Sequence, residues 1–394
     1  MGTGRRFHRE IPSRHLASPS VPTSMRGAVE FPESLLLDGI DMDENPTGVP
    51  STIRDVANLA GVALSSVSRV LSDHPDVSPK MRKKVKDAAK QLDYQPDLLA
   101  QSLRSGSTRT VGFVLRDISN PLFAAIALRC EQELRSLGYS MILVNSDGDA
   151  EIEAENLSLL RRRRVDGIIV SLESERAATT LEALARFGGS VVLLDREVKG
   201  IAVGSVLCDH YSGVYAAVSD LIARGHRKIS LITGSLEVRS SRERFRGMRA
   251  AFADSGVDFD DRFLSLGNFS DDFSKSEVIR LMSQRAAPTA ILTGGVLTTA
   301  GAIRALNRLG KQPGIDVSLI ALDEWPMFDI FTPRLASVAR DASEIGTTAA
   351  HLLLDMLSGS KPTSVTVPTT YTPGESLTKV PGRRRKAAAA KPGA

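Results

Sequence analysis

From residue 110 onward, short apolar runs alternate with longer stretches whose apolar residues recur every three or four positions. The runs are Thr110–Leu115, Met141–Val144, Gly167–Val170, Val191–Leu194, Ile229–Ile232, Ala290–Leu292 and Val317–Ala321. An unbroken apolar run with no polar alternation predicts a strand covered on both faces. The stretches between them, Pro121–Leu137, Ala150–Arg163, Ala177–Phe187, Gly213–Arg224, Arg242–Asp254, Lys275–Gln284 and Thr299–Leu309, predict amphipathic helices. Alternating strand and helix predicts an α/β fold of doubly wound parallel sheets with helices on both faces. About 270 residues in residues 110–378 is long for one such sheet, so two lobes with a cleft between them are expected.

Residues 51–94 carry a different pattern, that of three short helices. Thr52 precedes the first, and Asp55 completes a weak capping box. Val56, Ala57, Leu59 and Ala60 make its inner face, and Gly61 ends it with a turn. A second helix runs from Ser65 to Leu71 with Val67, Val70 and Leu71 inward. Ser78-Pro79, a cap followed by Pro at the first helical position, opens a third through Met81, Val85, Ala88, Ala89 and Leu92. An eight-residue helix, a Gly turn and a helix of Ser, Arg and apolar residues is the spacing of a helix-turn-helix. In that geometry the second helix enters the major groove of DNA. Leu64, Ser65, Ser66, Ser68 and Arg69 stand where base edges would be read: Ser bonds bases or phosphates, Arg favours guanine, and Leu64 meets a thymine methyl. An ordinary helical hairpin would not explain why spacing, basic flank and N-terminal placement agree.

Charge sharpens this division. The 394-residue chain has a net charge of +4, which conceals large regional differences. Residues 50–109 carry +4 and residues 379–394 carry +6, while residues 110–378 carry −4. A basic reader on an acidic body suggests a polyanionic partner. Residues 27–49, at −6, suggest no role. With 42% hydrophobic and 24% charged residues, the chain is not wholly disordered or collagen-like. Residues 1–50 and 379–394, rich in Pro, Gly, Ser or Ala, are expected to be disordered, and Met25 and Met42 are alternative starts. No apolar segment approaches a membrane span or follows Arg5-Arg6 as a signal core. Cys130 and Cys208 lie in apolar patterns and are expected as buried free thiols in a cytoplasmic, nucleoid-associated protein. No Cys/His cluster has metal spacing. The Arg161–Arg164 run fits a solvated helix end.

The sequence resembles the lactose-repressor (LacI/GalR) family of bacterial transcription regulators. The pattern Thr-Ile-x-Asp-Val-Ala-x-x-Ala-Gly-Val, then Ser-Val-Ser-Arg-Val-Leu, Val-Ser-Pro and Leu-x-Tyr-x-Pro, is matched at 52–96. Further matches are Val-Gly at 111–112, Asn120-Pro121, Gly138-Tyr139, Val165-Asp166-Gly167, Gly225-His226-Arg227, Arg244 with Gly247, and Asp-Val-Ser-Leu-Ile at 316–320. The resemblance spans about residues 51–378. It implies a helix-turn-helix headpiece, a hinge at 95–109 and a two-lobed body like periplasmic binding proteins. It also implies a homodimer on a palindromic double-stranded DNA operator, usually a repressor, with affinity set by a small-molecule effector such as a sugar or sugar derivative. No cofactor, catalytic residue or metal ligand is implied.

The resemblance also assigns residues. Thr52, Ser78 and Tyr94 join the recognition helix as DNA contacts. In the hinge, Ala100 and Leu103 match the positions that pair in the minor groove, where a Leu wedge unstacks a base step. Asp97 replaces the common Asn there and suits a helix cap rather than a phosphate contact. Effector contacts fall on Phe123, Asp195, Arg244, Asp323 and Trp325. Arg with Asp can hold a polyol, and an aromatic face can stack on it. Two departures stand out: Gly295-Val296 where Asn-Asp is usual, and Arg340 where a Gln is common. A ligand other than a simple hexose, an anionic one, or none is therefore expected.

Other functions fit less well. A solute-binding transport protein of the same body fold has no use for residues 51–93. An enzyme on a doubly wound fold lacks its marks here: no Gly-x-Gly-x-x-Gly follows a strand, and there is no phosphate loop or Gly-x-Ser-x-Gly elbow.

Overall fold

A computed structural model of the chain describes residues 51–95 and 106–380. They fall into two units, divided between Gln95 and Pro96.

The first unit holds α1 (Ile53–Ala60), α2 (Leu64–Leu71) and α3 (Pro79–Gln91). Thr52 caps α1 through a complete capping box with Asp55. Gly61 ends α1 in the left-handed region at φ 57, a conformation that costs a residue with a Cβ. Ser78 caps α3, with Pro79 in the first turn. Val56, Ala57, Ala60, Val67, Val70, Val85, Ala88 and Ala89 form its core. Leu59, expected inside, is 46% exposed. Val56, Ala57 and Ala60 already fill the stripe of α1 that packs inward, and Leu59 falls beside it.

The second unit contains two six-stranded sheets. The first lobe has β1 (Thr110–Leu115), β2 (Ser140–Asn145), β3 (Gly167–Val170), β4 (Ser190–Leu194), β5 (Gly204–Cys208) and β11 (Ser364–Val367), in the order β11-β5-β4-β3-β1-β2. Its helices are α4 (Pro121–Ser136), α5 (Ala150–Arg162), α6 (Ala178–Phe187) and α11 (Ala342–Leu357). The second lobe has β6 (Ile229–Gly234), β7 (Leu264–Gly267), β8 (Ala290–Thr293), β9 (Ser318–Ala321), β10 (Ala336–Arg340) and β12 (Thr369–Thr372), in the order β12-β10-β9-β8-β6-β7. Its helices are α7 (His210–Ala223), α8 (Arg239–Asp254), α9 (Asp271–Met282) and α10 (Val296–Arg308). The chain crosses between lobes after β5, after β10 and after β11.

Both central sheets are covered on both faces, which explains their unbroken apolar runs. In β4, Val192 and Leu194 enter one core while Val191 and Leu193 enter the other. In the second lobe, Leu292 and Ile291 divide in the same way. Where α7 and α8 meet, Gly247 lets the backbones touch: a Cβ there would lie 2.4 Å from the carbonyl oxygen of Tyr211. Cys130 and Cys208 are free and buried, and Arg161–Arg164 are exposed at the end of α5.

Two features differ from the expected pattern. The second sheet is mixed rather than wholly parallel, because β12 runs antiparallel to β10. Five strands, β5, β7, β10, β11 and β12, lay outside the expected runs. The last four carry too few consecutive apolar residues, while Val206, Leu207 and Cys208 in β5 make a run as long as Ala290–Leu292. β11 has three exposed residues at the rim of its sheet, where one face needs no cover. Helix α11 was legible in the spacing of Ile345, Ala349, Leu353 and Met356, yet lay outside the seven expected helices. Among the described residues, no helix is long and apolar enough to cross a membrane.

Candidate functional site

In the first unit, α2 turns Val67 and Val70 inward and leaves Leu64, Ser65 and Arg69 exposed, with Ser66 and Ser68 half-buried. A valine-lined back thus fixes the angle at which the polar face is offered. Ala63 provides no side-chain cap to α2, so its first backbone N–H groups and the positive end of its dipole suit a phosphate. Arg69 Nη2 lies 3.6 Å from Asp76 Oδ2, an exposed pair that water screens. Thr52 is exposed, and both its N–H and Oγ1 donate to Asp55 Oδ2, at 2.8 and 2.7 Å. Ser78 accepts from Met81 N at 3.3 Å. Tyr94 is half-buried against the core of the unit. Along α3, Lys80, Lys83, Lys84, Lys86 and Lys90 are exposed. Ala100, Leu103 and Asp97 lie outside the described residues.

In the second unit, a cleft of about 430 Å³ between the lobes is lined by Phe123, Asp195, Arg196, Arg244, Phe269, Gly295, Asp323 and Arg340, among others. The C-terminal ends of parallel strands, where open α/β sheets bind ligands, supply its floor. Asp195 follows β4 with φ 55, a left-handed conformation that Asp tolerates better than most residues. Asp323 follows β9, and Arg340 ends β10.

Arg340 joins these two carboxylates. Its Nε donates to Asp323 Oδ1 at 2.6 Å and its Nη2 to Asp323 Oδ2 at 2.8 Å. Its Nη1 donates to Asp195 Oδ2, in the other lobe, at 3.1 Å. All three side chains are buried. Asp195 also accepts from Cys208 N at 3.2 Å, and His210 Nε2 lies 2.7 Å from its Oδ2. Burial opposes the charge on Asp195, but His210, Arg340 and Arg196 outweigh it and hold the carboxyl below its ordinary range. Burial pushes the His210 imidazole down to about 4 against the pull of Asp195. A neutral ring donating its Nε2–H to the carboxylate satisfies both. Burial opposes the charge of Arg340 too, yet Asp323 and its neighbours hold it firmly protonated.

Arg244, on α8, is differently placed. It is 2% exposed, its Nη1 donates to Gly294 O at 2.7 Å, and its Nε is buried without a partner. Burial pulls its guanidinium down to about 10, with Asp323 opposing. Arg196 spends its donors on the carbonyls of Leu172 and Asp195, at 2.7 and 2.9 Å. Further bonds tie the lobes together: Arg242 Nη2 to Glu175 Oε2 at 2.7 Å and Arg239 N to Glu175 Oε1 at 2.8 Å.

Of the expected effector residues, the cleft brings together Phe123, Asp195, Arg244 and Asp323. Trp325 is not among its lining residues; its ring packs edge-to-face on Phe328, with centroids 6.0 Å apart. Phe269 supplies the second aromatic instead, with Arg244 and Arg116 over its ring at 5.9 and 5.4 Å. An aromatic just after a strand end was the available signal for it. The Arg340 departure was legible, but its consequence was not: the added cation is already held by two aspartates. His210 had no signal beyond its place after an apolar run. Asp195, Cys208 and His210 bring one oxygen, one sulfur and one nitrogen within 4.8 Å of one another. Burial pushes the Cys208 thiol up to about 12, and Arg340 shares the same Asp195 oxygen, so a cation there would meet a bound guanidinium and a protonated thiol.

Two family profiles match the chain. One, described as bacterial regulatory proteins of the lacI family, matches residues 52–97. The other, described as periplasmic binding proteins and sugar binding domain of the LacI family, matches residues 108–375. The HTH-type transcriptional repressor PurR of Erwinia tasmaniensis is 31% identical over 318 residues, covering 80% of this chain and 93% of that protein. The ribose operon repressor of Bacillus subtilis is 31% identical over 326 residues, covering 82% and 97%. The fold is shared with the crystal structure of the lac repressor dimer bound to operator and the anti-inducer ONPF. That likeness has a TM-score of 0.74 at 24% identity and covers 83% of this chain and 99% of that one.

Proposed function

The chain belongs to the lacI family of bacterial regulatory proteins and is a DNA-binding transcriptional regulator, and on that premise we propose how it works. It represses transcription as a homodimer on a palindromic double-stranded operator. Leu64, Ser65, Ser66, Ser68 and Arg69 read the bases, while Thr52, Ser78 and Tyr94 position the unit. Ala100 and Leu103 act in the hinge. A sugar or related metabolite enters the interlobe cleft lined by Phe123, Asp195, Arg244 and Asp323 and sets operator affinity. A DNA partner places this work in the cytoplasm, at the nucleoid.

The observation that carries the reading is the buried Asp195–Arg340–Asp323 bridge across the cleft. A ligand that alters these bonds alters the angle between the lobes, and an affinity difference between two lobe angles is what effector control requires. Pairing of two copies is supported by β2 and β7, each an edge strand of its sheet, which carry the exposed Ile142 and Leu266.

A gel-shift assay with fragments of the source genome at moderate salt tests this. One or a few fragments are expected to shift, with half-sites about one or more helical turns apart. Uniform retardation of every fragment, or none, would refute it.

A further inference from the structure

We propose that the ligand of the cleft is a polyhydroxy carboxylic acid, its carboxylate held by Arg244 and its hydroxyls turned to the mouth. This rests on the reading of the cleft as the effector site.

The carboxylates that a neutral polyol needs are already taken. Both oxygens of Asp323 accept from Arg340. Asp195 Oδ1 accepts from Cys208 N, and its Oδ2 meets both His210 and Arg340. A sugar hydroxyl pair could reach either acid only by breaking a buried ion pair.

Arg244 is the group left over. Among the described residues no carboxylate forms an ion pair with it, and its Nε is buried without a partner. The other cations of the lining are occupied: Arg116 Nε lies 2.5 Å from Glu173 Oε2, Arg196 is bound to carbonyls, and Arg340 is bound to the aspartates. A buried guanidinium with unused donors matches a carboxylate, whose two oxygens fit its planar fork.

The mouth argues for hydroxyls and against a phosphate. Asp117, Ser119, Asn120, Asp147 and Asn268 line it and are exposed or half-buried. The Asp117 and Asp147 carboxylates accept from hydroxyls and repel a second or third negative charge on a ligand, while the neutral amides and Ser119 add further hydrogen-bonding groups. Phe123 and Phe269 offer apolar faces for the carbon skeleton, and about 430 Å³ suits a six-carbon acid.

Matched pairs test the proposal on the full chain without DNA. Thermal unfolding and calorimetric titration would compare glucuronate, galacturonate and gluconate with glucose, galactose, ribose and glucose 6-phosphate. At least one acid is expected to bind roughly tenfold or more tighter than its neutral parent. Arg244→Gln should abolish that preference, and Arg244→Lys should keep part of it. Equal binding of acid and neutral parent, preference for the phosphate ester, or no binding of any acid would overturn the proposal. The comparison within wild-type protein stands even if a variant fails to fold. Because DNA is absent, failure here is distinct from failure of the gel shift.

Discussion

Arg340 grips Asp323 with two hydrogen bonds, of 2.6 and 2.8 Å, and spends its remaining nitrogen on Asp195 in the opposite lobe at 3.1 Å. The guanidinium thereby fills from within the position between two carboxylates that a ligand would otherwise bridge. Every member of the bridge is buried, so its electrostatics are poorly screened and its removal is costly.

Arg340→Gln leaves two buried carboxylates without their cation. The body should lose about 3–5 kcal/mol at pH 7. In the wild type the depressed Asp195 carboxyl adds stability that is present above its ordinary value of 3.8 and is lost as the pH falls below it. Without Arg340 the folded-state carboxyl rises toward 3.8, so this acid-dependent part of the stability should shrink. Urea unfolding followed by the fluorescence of Trp325, the single Trp, checks both; equal midpoints for variant and wild type at pH 7 would contradict the expectation.

Glu153 should make the body less stable as the pH rises. Burial pushes its carboxyl up to about 7 from 4.5, against hydrogen bonds from Glu173 N and Thr180 Oγ1. Between those values the folded state keeps a proton that the unfolded chain has lost, so stability falls as pH rises through the window. Glu153→Gln should flatten this dependence and stabilise the protein at pH 8 by up to about 3 kcal/mol. Parallel pH profiles of the melting temperature for the two proteins would count against it.

Thr52→Ala removes the side-chain half of the capping box at α1: the Asp55 N–H loses its acceptor Oγ1, while the bond from the backbone N–H of residue 52 to the Asp55 carboxylate remains. A loss of about 1 kcal/mol is expected. Amide exchange within α1 should accelerate correspondingly, while exchange in the body stays unchanged.

Arg69→Ala and Lys84→Ala should separate base reading from phosphate attraction. Arg69 is exposed on the face of α2, and Lys84 is exposed on α3. The first substitution should erase preference among shifted fragments. The second should weaken all fragments alike and reduce the salt slope by about 1. Filter binding over a salt series distinguishes the two outcomes.

Much of the fold was legible because its signals are local. Ser78-Pro79 starts α3, Gly61 stops α1, and buried strands such as Gly167–Val170 announce themselves as runs. β12 was illegible because its sense depends on β10, a strand that also lacks a long apolar run. Trp325 illustrates the same limit: an aromatic two residues past Asp323 could face the cleft or the core, and the turn that follows it turns the ring onto Phe328.

By itself the sequence determined the helix-turn-helix, the two-lobed α/β body and the family, because capping, periodicity and motif spacing act between residues close along the chain. Only the tertiary structure decided the charge state of the cleft. Arg340 lies 17 residues from Asp323 and 145 from Asp195, and no pattern of neighbours tells an added cation from one already spent. Burial makes the difference: it excludes water from the Asp195–Arg340–Asp323 bridge and leaves the Arg244 guanidinium with a buried Nε that has no partner.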